Sequence, residues 1–158
     1  MGFLDSLTTL YRKEVERHHN LPFLKAVMAA CALVAIADGK VTLGQRARVD
    51  QILETLDALK VFDPHEGVEL FNGFIDAIFE DPEAGRDEAL KAILTVAKDP
   101  ATAKLLIRIC CAVSDANTDT RLADQIEIVM LCSRLGIEPT DCGLSLEKTL
   151  DDMLAGRA

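Results

Sequence analysis

Three Asp-Pro dipeptides, Asp63-Pro64, Asp81-Pro82 and Asp99-Pro100, constrain this chain more than any other feature. Aspartate is a favoured helix N-cap, and proline suits the first helical position, where its missing N–H is not needed. Asp63-Pro64-His65-Glu66 adds an acid three residues after the cap, as in a capping box. Glu138-Pro139 and Leu21-Pro22, after Asn20, are weaker marks of the same kind. Between the marks the apolar residues recur at spacings of three and four. Val68, Phe71, Phe74, Ile75, Ile78 and Phe79 share one stripe, and Val49, Ile52, Leu53, Leu56 and Leu59 another. Leu90, Ile93, Leu94 and Ala97 form a shorter one. No six-residue run alternates with period two.

The expected fold is therefore all-α: one domain over residues 1–158, a bundle of seven to eight helices. The spacing predicts helices at about 3–18, 22–37, 42–58, 64–79, 83–97, 100–115, 121–135 and 144–154. Segments 22–37 and 100–115 are the most apolar on all sides, which predicts them at the centre, against each other. Ala26 to Ala37 is free of charge but too short for a membrane span, which needs roughly 20 residues.

Shifting the sequence by 79 residues superimposes Cys31 on Cys110, Val34 on Val113 and Ala37 on Ala116. Beyond the following loop it places Leu43 on Leu122, Val49 on Ile128, Ile52 on Leu131 and Leu56 on Leu135. Each half then reads as an apolar helix, a polar loop and an amphipathic helix: two related helical hairpins.

With 17 Lys and Arg against 26 Asp and Glu, the formal net charge is −9. The longest basic run is Arg12-Lys13. Bare nucleic acid and anionic bilayers both demand a cationic face, so neither is an expected partner, and direct membrane insertion is not expected. The five cysteines contain no CxxC pair, are odd in number, and follow no secretory leader. They read as reduced thiols of a cytoplasmic protein, packed as small hydrophobes.

There is no Gly-rich phosphate loop, no His-Glu-x-x-His and no Gly-x-Ser-x-Gly elbow, and nothing pairs a nucleophile with a base. His18 and His19 end the first expected helix, where cations suit the dipole. The candidate site is the pair of polar loops. Asp38-Gly39 is followed seven residues after Asp38 by Gln45; Asn117 and Asp119 are followed by Asp124, seven after Asn117. Oxygen ligands at a loop and one turn into the next helix suit a hard cation such as Ca²⁺. The spacing is not that of an EF-hand, since no acid stands at the fifth or twelfth place, counted from Asp38 as the first, to make the 12-residue cage. The same residues also serve a purely structural role: Thr42-Leu43-Gly44-Gln45 is a capping box, and Asp119 is a cap for the next helix.

Several short motifs, in order, resemble the TerB tellurite-resistance family. They are Met1-Gly2-Phe3-Leu4-Asp5, Ala37-Asp38-Gly39-Lys40-Val41, Leu59-Lys60-Val61-Phe62-Asp63 and Leu70-Phe71-Asn72. Leu105-Leu106-Ile107-Arg108, Leu135-Gly136-Ile137-Glu138-Pro139 and Gly143-Leu144 continue the likeness, which covers about residues 1–144. The resemblance implies an all-α protein of about seven helices without catalysis, acting in resistance to tellurite and other stress. It implies association with a membrane partner of the TerC type and with calcium-binding TerD-type proteins. The location it implies is cytoplasmic, peripheral to the inner membrane through a partner.

It also implies a metal role for acidic loop residues, which carries over to Asp38, Asn117, Asp119 and Asp124, with Gly39 as the loop glycine. Gln45 stands where the family usually has Glu, Asn117-Thr118 where Asp-Gly is usual, and Asp124 where Glu is usual. Each site thus loses charge or reach, and the expected binding of Ca²⁺ or another divalent cation is weak. The metal role favours the Asp38 and Asn117 loops on one shared face. The expected function is a non-catalytic adaptor for a membrane-associated complex; the alternative is a soluble cation sensor or buffer.

Overall fold

The structure is a computed structural model and describes residues 2–37, 39–114 and 121–142. Among the described residues there are six α-helices, two 3₁₀ turns and no strand. The helices are α1 (Phe3–Ala35), α2 (Leu43–Thr55), α3 (Pro64–Glu80), α4 (Pro82–Val96), α5 (Pro100–Ser114) and α6 (Arg121–Leu135). Short 3₁₀ turns occupy Asp57–Leu59 and Pro139–Cys142. The all-α expectation holds, with a lower helix count than seven to eight. The helix expected at 144–154 lies outside the described residues.

The count falls mainly because residues 3–18 and 22–37 are not two helices. They form one 33-residue helix with Pro22 inside it. Proline removes the hydrogen bond to the carbonyl of His18 and normally breaks a helix. Here both Pro22 and His18 are exposed, so water can satisfy that carbonyl. The following segment is locked in place by burial: all residues from Ala26 to Ile36 are buried. Asn20 adds an anchor by donating its side-chain N–H to the Ala58 carbonyl at 2.9 Å. The helix expected at 42–58 is shorter, because the chain leaves α-geometry at Leu56 and re-forms as the 3₁₀ turn.

The Asp-Pro marks perform as expected. Asp63 Oδ1 accepts from the His65 N–H at 2.9 Å, Asp81 Oδ1 from Ala84 at 3.2 Å, and Asp99 Oδ1 from Ala101 at 3.3 Å. Glu66 does not close a capping box on Asp63. Its carboxylate turns to Arg17 of α1 at 2.6 Å, tying α3 to the midpoint of the long helix. Gly136, with φ of +68°, ends α6. Its N–H reaches the Ser133 carbonyl and that of Ile137 reaches Cys132, the paired bonds of a Schellman ending.

The second half of α1 is the axis of the bundle, enclosed by α3, α4 and α5, with α2 and α6 packed further out. Helices α3 and α4 approach so closely that a Cβ on Gly85 would lie 2.6 Å from the backbone of Ala77 and Ile78. The expectation that α5 is enclosed on all sides is corrected. Leu106, Ile107, Cys110 and Val113 are buried against the core, but Leu105 and Arg108 face solvent. An amphipathic helix needs only one partner face, and α1 and α6 supply it.

Candidate functional site

The two loops grow from the 79-residue repeat, and burial follows that repeat. Cys31 and Cys110 are fully buried, as are Val34 and Val113. Val49 and Ile128, and Ile52 and Leu131, are buried pairs in the helices beyond the loops. One polar pair obeys the same rule: Gln45 and Asp124, related by the offset, each have no solvent exposure. Equivalent positions one turn into α2 and α6 thus hold a buried amide and a buried carboxyl group.

At the first loop, Gly39 has φ of +93°, a conformation that favours glycine, and its N–H closes a turn on the Ile36 carbonyl at 2.8 Å. The chain then enters α2 through the capping box. Thr42 Oγ1 accepts from the Gln45 N–H at 3.1 Å, and Gln45 Oε1 accepts from the Thr42 N–H at 2.9 Å. The structural role of these residues is therefore realised. Gln45 Oε1 is occupied by the cap, while its Nε2 finds no acceptor among the described residues. In this rotamer the Gln45 oxygen is engaged in the cap, and its N–H donor, unlike an oxygen, is no cation ligand.

At the second loop, Ser114 closes α5 as a buried residue, and Asp124, Gln125 and Glu127 are buried along α6. Glu127 forms an ion pair with Arg86 of α4 at 2.7 Å, and its carboxylate is only 8% exposed. Sequence reading missed this pair, because residues 41 positions apart on separate helices leave no local signal. Asp38, Asn117 and Asp119 lie outside the described residues, and so does the question of whether their loops share a face. Of the expected ligand set, the structure places Asp124 in the core and Gly39 at the turn. Among the described residues, no three His, Cys, Asp or Glu side chains converge as a metal-binding group.

The cysteines of the repeat lie in the core where α1 and α5 pack. Cys110 Sγ lies 3.8 Å from the Ala30 carbonyl on α1, where α5 crosses it. Burial pushes the Cys31 thiol up to about 12. Cys110 is also raised by burial first, and then by the nearby Cys31, Cys111, Cys132 and Glu127. Thiols held this firmly protonated are poor nucleophiles and poor metal ligands. Cys142 lies outside the described residues in its side chain.

Residues 24–145 match the family model described as Tellurite resistance protein TerB. The chain belongs to the TerB family. It is also 32% identical over 108 residues to a tellurium resistance protein TerB from Alcaligenes sp, a span covering 68% of this chain and 88% of that protein. No solved structure matches. The matched span starts at Leu24, so the likeness seen in Met1-Gly2-Phe3-Leu4-Asp5 falls outside it, as does the first half of α1.

Proposed function

We propose that this protein serves tellurite resistance by association and not by catalysis, as an adaptor for a membrane-associated complex. The family match over residues 24–145 supports the tellurite-resistance role, and the adaptor part rests on the family resemblance read in the sequence. Among the described residues no helix is long and apolar enough to cross a membrane, so contact with a membrane complex would run through a partner. A TerC-type membrane protein and TerD-type proteins are the proposed partners, with the protein on the cytoplasmic side.

Two measurements test it. Loss of the gene should lower survival on tellurite, and the wild-type chain should restore it. The chain should also co-purify with a TerC-type protein from detergent-solubilised membranes. Restoration without any membrane-protein association would overturn the adaptor reading.

A second reading, cation binding at the loops, is favoured by one observation: a carboxylate, Asp124, is fully buried at the start of α6. Calorimetry with Ca²⁺, Mg²⁺ and Zn²⁺ should then show weak binding that Asp124→Asn abolishes. Flat titrations with all three ions would remove this reading.

A further inference from the structure

The first half of α1 stands away from the bundle. Residues 2–13 are all exposed, and at the base of the arm Arg17 pairs with Glu66 of α3 and stacks over the Phe62 ring. Yet this arm carries large apolar side chains: Phe3 is 77% exposed, Leu4 75%, Tyr11 72% and Leu10 60%, with Leu7 and Val15 near half. Helical spacing gathers Phe3, Leu4, Leu7, Leu10, Tyr11, Val15 and, further on, His18 and Leu21 on one face. Asp5, Thr9, Arg12, Lys13 and Glu16 fall on the other, and Glu14 is the one acid whose spacing places it among the apolar residues. Single exposed hydrophobes need no explanation, but a stripe of this length, interrupted only at Glu14, marks an interaction surface.

The stripe runs directly into a groove. His18 and Leu21 line a cavity of about 650 Å³ whose floor is Leu24, Phe62, Leu70 and Phe74. Its charged lining is Glu66, Glu69 and Glu88 against Arg17 alone, a net acidic set. Glu66 gives one oxygen to Arg17, while its second oxygen has no donor among the described residues.

We infer that the arm is a self-association surface, which pairs antiparallel with the arm of a second copy and seats its tip in that copy's groove. In this register Leu4, Leu7 and Leu10 of one copy face Leu21, His18 and Val15 of the other. From Leu4 to Leu21 the helix advances about 26 Å at about 1.5 Å per residue, so each tip reaches the base of the opposite arm. There Phe3 and Leu4 meet an apolar floor, and the positive end of the α1 dipole meets the acidic lining. The contact is isologous: one two-fold axis covers both stripes and both grooves at once. A bilayer fits less well. Residues 3–16 hold three acids and two bases, so the arm lacks the basic face with which an amphipathic helix holds an anionic bilayer.

Sedimentation equilibrium on the full chain should show a concentration-dependent dimer. Leu7→Asp and Leu10→Asp should each weaken it about tenfold or more, because each buries a charge in the stripe. Leu43→Asp, which alters an exposed leucine elsewhere, should leave it unchanged. Mixing Leu4→Cys with Leu21→Cys under mild oxidation should give cross-linked dimers, well above those from wild-type chain or from Leu4→Cys alone. Four results would overturn the inference: a monomer at all concentrations, a dimer indifferent to both Asp variants, cross-linking of Leu4→Cys only with itself, or a monomer whose arm binds phosphatidylcholine or phosphatidylglycerol vesicles.

Discussion

The two halves of α1 share one hydrogen-bonded rod and follow opposite rules. From Ala26 to Ile36 no residue exceeds 8% exposure, and the side chains are mostly small: five alanines and one cysteine among eleven residues. Small side chains let α3, α4 and α5 come close on several sides, so burial is complete without bulk. From Phe3 to Val15 the apolar residues are larger, confined to one stripe, and exposed. Hydrophobic content therefore does not separate core from surface here. What separates them is whether the apolar residues encircle the helix or occupy one face.

The largest contrast should come from truncating leucine in each half. Leu33→Ala removes a fully buried side chain and should cost about 2–5 kcal/mol in denaturant unfolding. Leu7→Ala on the exposed stripe should cost less than about 0.5 kcal/mol in dilute protein. Equal losses would show that the arm is packed within the same chain.

Ion pairs sharpen the comparison. Glu127→Ala strips the partner from Arg86 inside the bundle and should cost about 2–3 kcal/mol, below the range for fully buried pairs because Arg86 is 33% exposed. Glu66→Ala at the root of the arm, where both side chains are 40% exposed, should cost at most about 1 kcal/mol.

The thiols report on the buried half through pH. Cys31 titrates near 9.0 in an open chain and near about 12 in the fold. Between these values the unfolded chain has lost a proton that the native state keeps. Stability should therefore fall as pH rises above 9, at up to about 1.4 kcal/mol per pH unit for each such thiol, and Cys31→Ala should flatten that slope. At neutral pH, Cys31 and Cys110 should resist labelling in native protein. A smaller effect is expected beyond the end of α1: Thr42→Ala removes the cap of α2 and should cost about 1 kcal/mol by thermal unfolding.

Much of this fold is legible locally. The Asp-Pro caps, the Thr42–Gln45 box and the stripes of α3 and α4 are written within a few residues of where they act, and burial obeys the 79-residue repeat. The continuity of α1 is not legible, because a proline after Asn-Leu argues for a break and only long-range packing of residues 24–36 overrides it. The solvent-facing side of α5 is hidden for a related reason: Leu105 and Ala101 are as apolar by sequence as residues that the core accepts. In the candidate site, the capping role of Gln45 was readable from Thr-x-x-Gln spacing. The full burial of Asp124 was not, since a carboxylate at a helix start ordinarily faces water, and the Arg86–Glu127 pair joins helices distant in sequence.

Amide hydrogen exchange along α1, read at two protein concentrations, tests the contrast between its halves most directly. Residues 26–36 should exchange only through global unfolding, at a rate independent of concentration. Residues 3–15 should exchange rapidly in dilute protein and become protected as concentration rises and the arms pair. Uniform protection along the whole helix at both concentrations, or an arm that exchanges freely at both, would contradict the account.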